Sequence, residues 1–182
     1  RPPGMSRLSG PLQQAIETID GATMLARVER WARINSGTSN LEGLARMAGE
    51  LSEAFSALPG AITLEEPAPV TAVDASGKET VVRNGKHFVL RVRPDAQRRF
   101  ILTGHMDTVF PADHPFQDLT WLDDEVLNGP GTADMKGGLA IILASLTALE
   151  QIEAWQQVGY DVMINADEET GSLSSAPLIE EL

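Results

Sequence analysis

Three short segments limit this chain more than anything else in it: Gly104-His105-Met106-Asp107-Thr108-Val109, Gly129-Pro130-Gly131-Thr132-Ala133-Asp134-Met135-Lys136-Gly137-Gly138 and Ala166-Asp167-Glu168-Glu169-Thr170-Gly171. The first follows Phe100-Ile101-Leu102-Thr103, which reads as a buried strand, and the third follows a strand-like run over residues 160–165. Between them Leu139, Ile142, Leu143, Leu146 and Leu149 keep helical spacing, to about residue 153. This strand-helix-strand order puts histidine and carboxylates beyond the carboxyl ends of strands, where α/β sheets gather their sites. The fold expected is α/β, a mostly parallel mixed sheet with helices on both faces.

The first half of the chain supplies the remaining layers. Apolar residues Leu12, Ile16, Ile19, Met24, Leu25, Val28 and Trp31 recur at helical spacing, with Gly21 as an interruption. A loop over residues 35–40 leads to a second helix, signalled by Leu41, Leu44, Met47, Leu51 and Phe55, with Asn40 as N-cap and Pro59-Gly60 beyond its end. The period then changes to that of strands over residues 61–65, 70–74, 87–92 and 121–127. Residues 174–182 read as a helix that has barely begun. Neither repeats nor linkers divide the 182 residues.

With no cysteine in the sequence, any metal must be held by histidine and carboxylates. His105 and Asp107 stand two apart, so on a continuing strand both side chains point to one side and Asp107 can orient the imidazole. Asp134 lies between a glycine-rich loop and a helix, which suits either a carboxylate aimed into a cleft or a simple N-cap. Taken alone, Asp before an apolar helical run reads as the cap, and Gly137 and Gly138 weaken that reading a little, because each costs a first helical turn roughly 1 kcal/mol against alanine. Glu168 and Glu169 are adjacent, and in extended chain they point in opposite directions, so one can bind metal while the other takes a proton, the alternative for an isolated Asp-Glu-Glu being a solvated acidic loop. Lys136 has no direct part in this scheme. His87 and His114 read as structural residues of a strand and a loop, and Asp123-Asp124-Glu125 as a solvated run.

The 14 basic and 26 acidic residues leave a net charge of −12, which argues against a broad phosphate-binding surface and against nucleic acid as a partner. No stretch reaches the roughly 20 apolar residues of a membrane span, and Arg1-Pro2-Pro3-Gly4-Met5 has no apolar run like a signal peptide, with Met5 a candidate start. A cytoplasmic location is expected, or a periplasmic or secreted one if a signal peptide has been removed.

In their order and separations the three segments resemble those of the M20 family of zinc metallopeptidases and amidohydrolases, glutamate carboxypeptidases in particular. Residues 28–38, Val28-Glu29-Arg30-Trp31-Ala32-Arg33-Ile34-Asn35-Ser36-Gly37-Thr38, resemble that family's first helix and loop. The resemblance implies a zinc-exopeptidase-like catalytic domain that hydrolyses an amide bond in a small peptide or N-acyl amino acid. It implies that His105 binds one zinc, Asp134 bridges two, Glu169 binds the other, Glu168 is the general base and Asp107 steers His105, with Co2+ or Mn2+ as alternative ions. A cis peptide between Asp134 and Met135 is implied as well. Residues 1–182 would form the N-terminal portion of the catalytic domain, inactive alone. The remaining ligands and an inserted lid and dimerisation domain, through which the full protein could form a homodimer, are expected elsewhere. A truncated or degenerate binding module and a zinc aminopeptidase of similar fold are the alternatives.

Overall fold

Short polar side chains start the two long N-terminal helices. In the computed structural model, which describes residues 10–182, helix α1 spans Gly10–Glu17 and α2 spans Gly21–Ala32. Asp20 breaks the run between them by accepting the backbone N–H groups of Ala22 (3.0 Å) and Thr23 (3.3 Å). Asn40 caps α3, Leu41–Phe55, by accepting from Gly43 N at 3.1 Å. A Cβ on Gly43 would fall 1.8 Å from Asn35 O, so only glycine lets α3 lie this close to the preceding loop. The expectations for Arg1–Met5 lie outside the described residues.

The strands follow as β1 (Ala61–Glu65), β2 (Val70–Val73), β3 (Glu79–Val82), β4 (His87–Val92), β5 (Arg99–His105), β6 (Thr120–Trp121) and β7 (Leu127–Asn128). Helix α4 (Gly137–Leu149), strand β8 (Gly159–Asn165) and helix α5 (Ala176–Glu181) complete the chain. The central sheet runs β1-β4-β8-β5, with β2-β3 and β6-β7 as separate two-stranded ribbons. The expected α/β class with a mixed sheet is found, but the sheet is not mostly parallel: β5–β8 is parallel, while β1–β4 and β4–β8 are antiparallel. Only β5 and β8 are joined through a helix packed on the sheet, the connection that parallel pairing needs. The expected strand over residues 121–127 is instead the β6–β7 hairpin, whose turn carries the exposed Asp123, Asp124 and Glu125.

Alternation along the strands shows where the core sits. Phe88, Leu90 and Val92 of β4 lie opposite Ile164, Val162 and Tyr160 of β8, and all six pack with Trp31, Leu51, Phe55, Leu139 and Leu143 in one buried cluster. Helices α2, α3 and α4 therefore load one face of the sheet. The opposite face, bearing Val89, Met163 and the Arg99–Asp161 ion pair, meets residues 172–175 at its end. Strand β5 is an edge among the described residues, which leaves Ile101 40% exposed rather than buried. The 18-residue stretch Thr132–Leu149 is long and apolar enough to span a membrane by composition. Its backbone is non-helical at Asp134 and Met135, however, and Leu139, Leu143 and Leu146 belong to the core.

Candidate metal centre

Parallel pairing of β5 with β8 sets His105 beside Asn165, and Met106 N donates to Asn165 O at 2.8 Å. The two strand ends therefore deliver the His105 segment and the Glu168-Glu169 segment side by side. The third segment enters through Gly131, whose φ of 71° favours glycine, into a broken turn over Thr132–Lys136 with a cis Asp134–Met135 peptide.

His105 is buried and central. Its Nε2 lies 2.9 Å from Asp134 Oδ1 and 3.9 Å from Glu168 Oε2. Ligand atoms of His105, Glu168 and Glu169 all fall within 4.8 Å of one another. The four sequence-predicted residues around the imidazole are thus brought together. Asp134 and Glu168 have side chains 76% and 52% exposed, so solvent or a ligand can reach them. Among the described residues Asp134, Glu168 and Glu169 have no ion-pair partner other than His105.

Asp107 takes a different position from the one expected. His105 Nδ1 is 3.0 Å from the Asp107 backbone oxygen and 3.4 Å from its carboxylate, so the carbonyl is the nearer partner. The carboxylate accepts Glu168 N (3.2 Å), Glu169 N (3.1 Å) and the Thr38 hydroxyl (2.7 Å). Residues Glu168–Thr170 form a single helical turn rather than extended chain. Glu168 and Glu169 consequently converge on His105 instead of pointing apart, because Asp107 collects both of their backbone N–H groups.

The electrostatics are those of a site short of positive charge. Burial would lower His105, but hydrogen bonds to Asp107 and Asp134 outweigh it and raise the imidazole to about 9. Burial raises Glu169, and the charges of Asp134, Asp107 and Glu168 add to burial against the opposing His105. One imidazole among four carboxylates, with no thiol in the chain, is a donor set suited to a divalent first-row ion.

Three residues support the site from behind: sequence reading assigns Thr38 and Lys136 no such part, and takes His87 as a structural strand residue without its partners. Thr38 reaches Asp107 from a loop stitched to residue 108 by Thr38 N→Thr108 O (3.2 Å) and Thr108 N→Ser36 O (3.0 Å). Lys136 is 1% exposed and donates to the carbonyls of Trp31 (3.1 Å) and Ile34 (2.8 Å), tying the Asp134 turn to the end of α2. Burial lowers its ammonium to about 8. His87 is fully buried beneath the third segment.

Burial lowers His87 below its ordinary 6.5, only partly offset by the charge of Asp167. The unfolded chain therefore takes up a proton below about pH 6.5 that the folded chain resists, so stability falls on acidification through that value. Chemical denaturation at pH 7.5 and 5 should show a smaller acid loss for His87→Gln than for the wild type. Equal losses would remove His87 as a contributor.

The known proteins to which this chain is similar are peptidases and a desuccinylase. Residues 101–182 match the family model for peptidase family M20/M25/M40. Carboxypeptidase G2 of Pseudomonas sp. (strain RS-16) is 28% identical over 168 residues, covering 90% of this chain and 37% of that protein. A probable succinyl-diaminopimelate desuccinylase of Staphylococcus epidermidis is 35% identical over 86 residues, covering 44% of this chain and 21% of the relative. Human carnosine dipeptidase 1 superposes with a TM-score of 0.68 at 22% identity, over 96% of this chain and 38% of that one. The chain thus spans less than half the length of the relatives it matches.

Proposed function

Proceeding from a relationship to the M20 peptidases that covers part of their length, we propose that this chain carries a zinc-binding portion of an enzyme hydrolysing an amide bond in a small peptide or N-acyl amino acid. The observation that carries this reading is the gathering of Asp134, Glu168 and Glu169 around the buried His105. His105 and Glu169 would each hold one of two ions and Asp134 would lie between them, with Co2+ or Mn2+ able to replace zinc. Such an ion supplies Lewis acidity, polarising a carbonyl and bringing the pKa of water down to about 7. Glu168 takes the proton from the attacking water and passes it to the departing amine, so the acyl carbon gains hydroxyl as the C–N bond breaks. Asp107 holds the turn that presents Glu168. Three metal-facing side chains are too few for two catalytic ions, so we assign the missing ligands to residues outside this chain.

A cavity of about 620 Å³ adjoins Glu169, with Val70, Val82, Val109 and Leu173 among its apolar walls and Arg83 also lining it. It offers room for an apolar substrate group. The test is metal content together with turnover, measured on the full-length protein against a panel of N-acylated dipeptides, N-acyl amino acids and free-amine substrates such as amino-acid amides. About two bound ions with cleavage of the first two classes is expected. A protein that binds no divalent metal would be the non-catalytic alternative, and preference for a free amine would make it an aminopeptidase.

A further inference from the structure

Behind the Glu168-Glu169 turn lies a buried polar chain that the proposed chemistry does not use. Ala166 N donates to His87 Nδ1 at 3.2 Å. A backbone N–H can only donate, so Nδ1 is the acceptor and the neutral ring carries its hydrogen on Nε2. That nitrogen faces the Ser174 hydroxyl oxygen at 3.3 Å, and the hydroxyl donates to Asp167 Oδ2 at 2.8 Å. Every hydrogen points one way, from Ala166 through His87 and Ser174 to Asp167. The same residue types can form a nucleophilic triad when histidine accepts from serine and donates to aspartate. Here serine lies between the other two, its hydrogen is committed to the carboxylate, and it is 2% exposed, so nucleophilic use is ruled out.

Asp167 is where this chain meets the metal centre. Its carboxylate also accepts Ser174 N at 2.7 Å and Asn165 Nδ2 at 3.3 Å. Its backbone oxygen accepts Thr170 N (3.2 Å) and Ser172 N (2.9 Å), closing the loop that displays Glu168 and Glu169. Asp107 grips that loop at the Glu168 and Glu169 N–H groups, while Asp167 grips it from the opposite end. We propose that His87 is a positioning residue which, through Ser174 and Asp167, fixes the turn presenting Glu168 and Glu169 to the metal. The inference rests on the metal-centre reading above, and groups behind metal ligands commonly change affinity or activity 10–100-fold when altered.

The experiment is Co2+ titration of the full-length protein, followed by visible absorption, for wild type, His87→Leu, His87→Gln, Ser174→Ala and the His87→Leu/Ser174→Ala double variant, with melting temperatures alongside. Each of H87L and S174A should weaken Co2+ binding by roughly 10-fold or more. The double variant should be no weaker than the worse single one, because both break one chain. H87Q, which keeps an acceptor and a donor, should recover part of the loss. Co2+ affinities of the singles within about threefold of wild type, even with lowered melting temperatures, would overturn the inference, as would losses that multiply in the double variant. If H87L does not fold, S174A decides alone, since it keeps the Ser174 N–H bond to Asp167. Failure of the wild type itself to bind Co2+ would defeat the metal-centre reading and this inference with it.

Discussion

Glu168→Gln is expected to lower kcat of the full-length protein by roughly 10²–10⁴-fold, the usual contribution of a positioned general base, while bound metal stays at the wild-type level. The amide keeps the length and shape of the side chain, and the backbone bond from Glu168 N to Asp107 is untouched. What disappears is the oxygen that can accept a proton. The side chain is half exposed and its Oε2 lies 3.9 Å from His105 Nε2, close to the cluster yet open to incoming water. The check is turnover on the best substrate of the panel alongside metal analysis of the same preparation. Surviving turnover would remove Glu168 as the base. Loss of metal would instead make Glu168 a ligand, because its carboxylate stands in the group with His105 and Glu169.

How much of this could be read from the sequence depended on the range of the interaction concerned. His105, Asp134, Glu168 and Glu169 were legible as candidates because each stands beyond a strand end or glycine loop, where α/β sheets gather their sites, and because the order and separation of their segments resemble those of one family. The N-caps Asn40 and Asp20 act on amides two or three residues away, and Asn40 was read directly. The target of Asp107 was not legible, because the Glu168–Thr170 turn exists only once residues 61 and 62 positions apart have met. The partners of His87 lie 79 and 87 positions away. Lys136 reaches carbonyls 105 and 102 positions earlier. Sheet order failed for the same reason: β1 and β4 pair across the β2–β3 ribbon, and strand spacing does not reveal whether a connection crosses over or doubles back.

Asp107→Asn is expected to act on metal binding and stability together. The carboxylate is fully buried and its two oxygens accept three donors, Glu168 N, Glu169 N and Thr38 Oγ1, with His105 Nδ1 nearby. An amide of the same shape keeps one acceptor oxygen and presents an NH2 group in place of the other. Glu168 N meets Oδ1 and Glu169 N meets Oδ2, so whichever way the amide turns, one backbone donor faces another donor. A buried donor left unpaired costs about 1–3 kcal/mol, and more when the lost partner carried charge. The turn bearing Glu168 and Glu169 should therefore loosen, lowering Co2+ affinity by 10-fold or more and the unfolding free energy by roughly 2 kcal/mol. Thr38→Val probes the same carboxylate more gently: it removes one of three donors and leaves both backbone bonds, so its effect on each measurement should be a fraction of that of Asp107→Asn. An Asp107→Asn protein that melts and binds Co2+ like the wild type would show that the Glu168-Glu169 turn holds its shape without Asp107. In that case the role of Asp107 would be limited to its backbone carbonyl, which still meets His105 Nδ1 at 3.0 Å.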